Sequence, residues 1–213
     1  MRLPLNDELR SQGFPLLNEI IKRVFDVVLA IIILPLVIPV SGVFVLLALI
    51  FNGRGLFIQT RVGRYGELFK LYKICSMRHV EGYNTNVTTN KDPRITKFGR
   101  FIRKTKLDEF PQVVNVLKGD MSFVGPRPDV VETYQYLTAE DAVILCVRPG
   151  ITGVASLVFK DEEELLASND NPEDYSKNVI FPAKVALNKD YINEQSLFLD
   201  CKIILQTLRH VLK

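Results

Sequence analysis

Histidine and cysteine are scarce in this 213-residue chain, and the scarcity narrows its chemistry. His79 and His210 lie far apart, so a histidine metal site or a Ser-His-Asp triad has little to build on. The three cysteines, Cys75, Cys146 and Cys201, are odd in number and form no Cys-x-x-Cys pair. That argues against zinc and disulfide frameworks and for reduced thiols on a cytosolic side. No Asp-x-Asp pair and no glycine-rich phosphate loop occur, which weighs against a metal-dependent glycosyltransferase on a nucleotide-binding α/β sheet. Nor is there an excess of one charge: 27 Lys and Arg against 24 Asp and Glu leave +3, which argues neither for nor against an anionic partner, although no nucleic-acid partner is expected. Internal repeats and low-complexity linkers are absent too. One domain with a membrane appendage is the economical reading.

What is abundant is apolar sequence, and it is concentrated. From Val27 to Phe51 no side chain is charged, which exceeds the roughly 20 residues that span a hydrocarbon core. The run is too long for a cleaved signal peptide and lacks a clear small-residue cleavage site. Pro35 and Pro39 lie inside it, each removing a backbone donor. Basic residues flank both ends: Arg2, Arg10, Lys22 and Arg23 before, Arg54, Arg61, Arg64 and Lys70 after. The positive-inside rule therefore favours neither end for the outside. Two readings fit: a re-entrant hairpin with both ends cytosolic, and a kinked helix that spans.

Beyond the run, residues 55–74 alternate apolar and polar around Gly63-Arg64-Tyr65-Gly66, predicting a β-hairpin. The polar stretch 81–90 reads as a loop. Residues 95–107, with Ile95, Phe98 and Ile102 among basic residues, predict an amphipathic helix, either interfacial or a solvated face over a core. Helical patterns follow over 108–117, with Pro111 in the first turn, and over 129–145. Residues 168–175 form a polar break, and 196–213 read as a helix that docks on the body or lies on the bilayer.

The chemically informative stretch is 103–128. Asp108 and Glu109 are adjacent, with cations just before them. Such a pair can cap a helix, bind a divalent cation together with substrate phosphates, or supply a nucleophile to phosphorus. Gly125-Pro126-Arg127-Pro128 and Arg148-Pro149-Gly150 each present an arginine from a rigid turn, and arginine suits planar recognition of phosphate. Carboxylates beside fixed arginines outline a phosphoryl-transfer site.

The string LDEFPQVVNVLKGDMSFVGPRP closely resembles the signature of the bacterial sugar transferases, the small monotopic phosphoglycosyl transferases. The resemblance extends upstream through DPRITKFGRFIRKTKLDE to KRVFD at 22–26, and downstream through RPGITG at 148–153, covering residues 20 to 213. It implies that Asp108 is a nucleophile attacking the β-phosphate of a UDP-sugar, giving an aspartyl-phosphosugar and releasing uridine monophosphate. Undecaprenyl phosphate then takes the phosphosugar in a second step. It further implies that Glu109, with Asp108, is associated with Mg2+, that Arg103, Arg127 and Arg148 face phosphates, and that the apolar helix breaks at Pro35 and Pro39 to re-enter one leaflet.

The resemblance thus implies a helix-rich α+β fold. A tail (1–21) precedes a re-entrant membrane helix (22–52), and a small β-hairpin and amphipathic interfacial helices surround a compact cytosolic catalytic domain (53–213). The expected partners are a UDP-sugar, undecaprenyl phosphate and membrane lipid, at the cytosolic face of the bacterial inner membrane, with a homo-oligomer left open. The expected role is the first membrane step of glycoconjugate synthesis. Two departures from the family pattern stand out. Ile74 and Cys75 replace an aromatic and a basic residue after Lys73. Ser156 and the acidic run Lys160–Glu164 stand where the sugar pocket would be shaped, although singly those glutamates read as a solvated helix start. The rival reading is a catalytically impaired membrane scaffold of a polysaccharide assembly complex.

Overall fold

The computed structural model describes residues 16–81, 88–90 and 92–211. The first 15 residues of the expected tail and most of the expected 81–90 loop lie outside them. The chain opens on α1, Leu16–Asn52, which begins ahead of the expected boundary at Lys22 and is not interrupted by Pro35 or Pro39. A proline removes one N–H bond and crowds one carbonyl. In an apolar segment the remaining ladder is the only way to satisfy the backbone, which keeps the helix intact on either side. Among the described residues α1 is the one helix long and apolar enough to cross a membrane by length and composition. Most of its surface is bare and apolar, including Ile32, Leu36, Leu46 and Ile50.

One flank of α1 is not bare. Ala30 and Ala48 are fully buried, small residues that let other elements come close. Towards the N-terminal end Arg23 donates to the carbonyls of Val116 (2.6 Å) and Leu117 (3.0 Å). Asp26 accepts from the Ser122 hydroxyl (3.0 Å) and the Phe123 N–H (3.1 Å), and Lys22 reaches Asp200 at 2.6 Å. At the other end Asn52 donates to the Cys75 carbonyl at 2.6 Å and accepts from Thr96 at 2.7 Å. Both ends of the helix are therefore tied to the same body.

The predicted hairpin is present. Strands β1 (Leu56–Val62) and β2 (Leu68–Ile74) pair antiparallel with Leu56 opposite Ile74 and Val62 opposite Leu68. A tight turn at Arg64–Gly66 closes it, with Tyr65 in the left-handed region at φ 56°. The predicted amphipathic helix is α2, Lys97–Lys104, capped by Thr96 and burying Ile102. Phe98 stacks on Phe44 and Phe51 of α1 at centroid distances of 6.2 and 5.2 Å. After α2 come a 3-10 turn, Leu107–Glu109, and α3, Gln112–Lys118, which ends on Gly119 at φ 90°.

Two short parallel strands, β3 (Ser122–Val124) and β4 (Gly150–Thr152), hold the two arginine-proline segments together. Gly150 N–H donates to the Pro126 carbonyl at 2.8 Å and Gly125 N–H to Thr152 at 2.9 Å. A β-carbon on Gly125 would lie 2.4 Å from the Arg148 carbonyl oxygen, so backbone passes backbone with no room for a side chain.

Between these strands the expected 129–145 helix is not formed. Two 3-10 segments, Val131–Tyr136 and Asp141–Cys146, replace it, separated by an extended Leu137. Thr138 explains the interruption: its hydroxyl accepts from the Asp141 N–H (3.1 Å) and donates to the Asp141 carboxylate (2.7 Å), a local turn that competes with the helix. Helices α4 (Val154–Val158), α5 (Glu162–Ala167), α6 (Pro172–Tyr175), α7 (Phe181–Glu194) and α8 (Leu197–Val211) follow. Helix α6 falls inside the expected polar break because Asn171 caps it. Helix α8 docks through Asp200 and Ile203 and leaves Phe198, Leu205 and Leu208 exposed.

The main core gathers Val113, Val116, Met121, Val124, Leu145 and Ile203 around Ala30 and Val37 of α1. A second cluster joins Ala48 to Ile74, Cys75 and Ile102. Secondary structure is thus helix-rich with two small sheets, as the α+β expectation required.

Candidate active site

Lys106 takes a left-handed conformation (φ 56°), which turns the chain sharply out of α2. The following 3-10 turn carries Asp108 and Glu109 inward, and Pro111 then starts α3. The carboxylate pair therefore precedes the helix instead of opening it, in a turn of its own. Both residues are buried, at 4% and 6% exposure.

Their environments differ. Glu109 accepts on a single oxygen, Oε1, from Lys73 (3.0 Å) and from Arg127 (2.6 Å). Burial would push its carboxyl up, but Arg127 and Lys73 more than offset this and hold it well below the usual carboxylate range. In turn Glu109 raises Arg127, which stays charged. Asp108 has no such partner. Lys73 approaches its Oδ2 only to 4.0 Å, and its buried Oδ1 has no hydrogen bond among the described residues. Burial pushes the Asp108 carboxyl up; Lys73 pulls it back and Glu109 adds to the rise. For Lys73 itself burial dominates and lowers the ammonium, with Glu109 opposing.

The expected phosphate-facing arginines divide between two places. Arg127 is in the cluster, joined to Glu109. Arg103, in the last turn of α2, is ion-paired with Glu163 of α5. Arg148 stands in a different group. Its Nε donates to the Gly119 carbonyl at 2.9 Å, and it lines a small cleft with Glu19, Lys22 and Arg64. Burial lowers its guanidinium, and Arg64 and Arg23 add to the effect.

Beside Arg127 opens a cavity of about 130 Å3, walled by the segment after β3, the Tyr134 turn, α4, α5 and α7. Ser156, Glu162 and Glu163, the region of the sequence departure, are among its lining residues. The glutamates do begin a helix, yet Glu162 is held by Lys184 at 2.7 Å and Glu163 by Arg103. Cys75, the other departure, is buried against Ala48 and Ile102 and donates to the Met77 carbonyl at 3.1 Å.

Lys73 was not singled out from the sequence as a site residue. Its signal was the alternation of β2: Phe69, Leu71 and Lys73 share a face, and Leu71 is buried. A lysine that continues a buried apolar face calls for an acidic partner. Asp129, Lys184 and Asn188, which line the cavity, carried no comparable signal because their meeting is tertiary.

Asp108 Oδ1 is buried with no donor among the described residues, and Lys73 and Arg127 both use the same oxygen of Glu109. Among the described residues no group of three or more His, Cys, Asp or Glu side chains converges. The donor set accordingly suits Mg2+, which binds through one or two carboxylates plus water and substrate phosphates, and does not suit a metal that needs an all-protein cage.

Comparison with known proteins agrees in kind. Residues 17–213 match the family described as bacterial sugar transferase. Galactosyl transferase CpsE of Streptococcus agalactiae serotype III is 40% identical over 173 residues, 76% of this chain and 35% of that protein. The UDP-glucose:undecaprenyl-phosphate glucose-1-phosphate transferase of Escherichia coli K12 is 39% identical over 197 residues, 90% of this chain and 40% of that protein. The chain thus spans less than half the length of these two relatives. It spans 88% of the uncharacterized sugar transferase EpsL of Bacillus subtilis, at 35% identity over 194 residues.

Proposed function

The chain belongs to the bacterial sugar transferase family, and from that premise we propose that it transfers a phosphosugar from a UDP-sugar to undecaprenyl phosphate through a covalent intermediate on Asp108. The observation that carries the reading is the contrast between the two carboxylates. Glu109 is saturated by cations on one oxygen, whereas the adjacent Asp108 is buried with a free oxygen and a raised pKa. A poorly solvated carboxylate with one oxygen unbonded, beside two cations, is suited to attack phosphorus.

In the first step an Asp108 oxygen forms a bond to the sugar-bearing phosphorus. The bond from that phosphorus to the uridine monophosphate oxygen breaks, and its electron pair leaves with the nucleotide. In the second step an oxygen of undecaprenyl phosphate attacks the same phosphorus, and the Asp108 carboxylate departs with its original electron pair. Lys73 and Arg127 offset the negative charge that builds on the phosphoryl oxygens. Arg103 joins them if the incoming phosphate displaces Glu163. Mg2+ at Asp108 and Glu109 would supply further charge neutralisation to the diphosphate.

The reaction needs one soluble and one lipid substrate, and α1 supports that demand. Its apolar surface suits lipid, while Lys22, Arg23 and Asp26 near one end and Asn52 at the other bind one body. If that body rests at the membrane surface, both helix ends share its side, which favours re-entry over crossing; a UDP-sugar donor, which is a cytosolic metabolite, makes the cytosolic face of the bacterial inner membrane the side we assign to it.

The test is release of uridine monophosphate from a panel of UDP-sugars with undecaprenyl phosphate and Mg2+. Release with one donor, lost in Asp108→Asn, is the expected result. Release of uridine diphosphate would refute the phosphosugar assignment. No release with any donor, and no label on Asp108, would leave the impaired scaffold.

A further inference from the structure

Helix α7 buries one face, and that face contains a polar interruption. Phe181, Val185 and Ile192 follow the helical repeat, but Lys184 and Asn188 stand four apart on the same side. Both line the cavity beside Arg127, together with Asp129, Tyr134 and Phe159. Asn188 is only 7% exposed and lines the cavity, so the part of it that remains accessible faces that space. An amide offers two donors and two acceptor sites to whatever occupies it. No side-chain hydrogen bond ties the Asp129 carboxylate to a described residue; its backbone N–H donates to the Tyr134 hydroxyl at 3.3 Å and its carbonyl accepts from the Val62 N–H at 3.3 Å. Three cations, Lys184, Arg61 and Arg127, lie near Asp129, and Lys184 is also tied to Glu162.

Size narrows the occupant. A cavity of about 130 Å3 is close to the ~150 Å3 void that accommodates a single benzene ring, and far below the ~300–1,000 Å3 of pockets for larger ligands. It has room for one ring, and because it opens to solvent a ligand seated there can extend beyond it. Its position narrows the occupant further. Arg127 lies at the boundary between cavity and carboxylate pair, donating to Glu109 at 2.6 Å. In a nucleoside diphosphate-sugar the ring joined through a single oxygen to the attacked phosphorus is the sugar, whereas the nucleoside lies beyond the other phosphate. A carboxylate, an amide and aromatic walls are groups that hold a ring bearing several hydroxyls.

We propose that this cavity receives the sugar ring of the donor, and that Asp129 and Asn188 hydrogen-bond its hydroxyl or acetamido substituents and thereby select the sugar. The proposal rests on the donor reading above and goes beyond it in assigning the specificity-determining residues. Hydrogen-bonding sites discriminate strongly, because the wrong sugar leaves buried polar groups unpaired.

The test compares binding of UDP-sugars with binding of UDP by calorimetry, in the Asp108→Asn background so that no donor is consumed. The affinity gained from the sugar is the quantity of interest. Asn188→Ala and the near-isosteric Asp129→Asn should each reduce that gain about 10- to 100-fold, with UDP affinity within about twofold of the parent. Equal loss for UDP and UDP-sugar would give the cavity to the nucleoside and overturn the proposal. Unchanged binding of both in variants with native circular dichroism would overturn it as well. The two readings fail separately. Sugar-dependent binding without release of uridine monophosphate from the Asp108-containing protein would refute the reaction alone. Release with sugar binding indifferent to both substitutions would refute the cavity assignment alone.

Discussion

Neutralising the two adjacent carboxylates should move stability in opposite directions. Glu109→Gln leaves Lys73 and Arg127 facing an amide oxygen instead of a charge. Breaking a fully buried pair costs about 3–5 kcal/mol. Here the Lys73 and Arg127 side chains retain 18% and 39% exposure, so solvent screens part of the loss. About 2 kcal/mol is expected, a fall in Tm of roughly 4–8 °C for a domain of this size. Asp108→Asn removes a buried charge whose nearest cation is 4.0 Å away and whose Oδ1 has no described partner. It should leave Tm unchanged or raise it, while abolishing turnover. The pH dependence follows the same logic. Asp108 is raised from 3.8 in the folded state, so folding takes up a proton above that value. Stability from this group falls as pH rises through the window and stays low above it. Glu109 is depressed from 4.5, so its contribution is present above that value and lost as pH falls towards the folded one. The advantage of Asp108→Asn over the parent should therefore be larger at pH 7 than at pH 4, and the deficit of Glu109→Gln should shrink in acid. The chain has no tryptophan, so circular dichroism at 222 nm in detergent is the suitable assay. Equal destabilisation by the two substitutions would refute the distinction between a charge-saturated and a strained carboxylate.

Lys73→Met should lower the rate of uridine monophosphate release about 100-fold by removing a cation next to both carboxylates, with Lys73→Arg recovering part of it. Asp26→Ala leaves the Ser122 hydroxyl and the Phe123 N–H without their acceptor and should cost about 1–3 kcal/mol, read as a lower Tm. Single cysteines at Leu17 and Arg54, near the two ends of the apolar helix, should react with an impermeant maleimide in the same vesicle orientation once Cys201, which is exposed, is changed to Ser. Reaction in opposite orientations would show that the helix crosses.

Local pattern was legible in the sequence wherever neighbours along the chain decide the structure. The uncharged stretch 27–51, the alternation around Gly63–Gly66 and the amphipathic spacing of Phe98 and Ile102 in α2 each depend on residues within a few positions of one another. The long motif around Asp108 fixed the family by resemblance. Over 129–145 the apolar spacing predicts a helix, and the side-chain turn at Thr138 interrupts it.

Only the tertiary structure decided how charges that are distant in sequence meet. Lys73 reaches Glu109 across 36 positions and Arg127 across 18, and nothing in the spacing of either residue foretells the contact. The same holds for Arg103, claimed by Glu163, and for Arg148, drawn into a separate cleft although Gly150, two residues on, is hydrogen-bonded to Pro126 beside Arg127. Residue type told which groups could act on a phosphate. Burial told which of them is left with an unsatisfied oxygen, because desolvation and the distance to the nearest cation are properties of the packed molecule and not of its sequence.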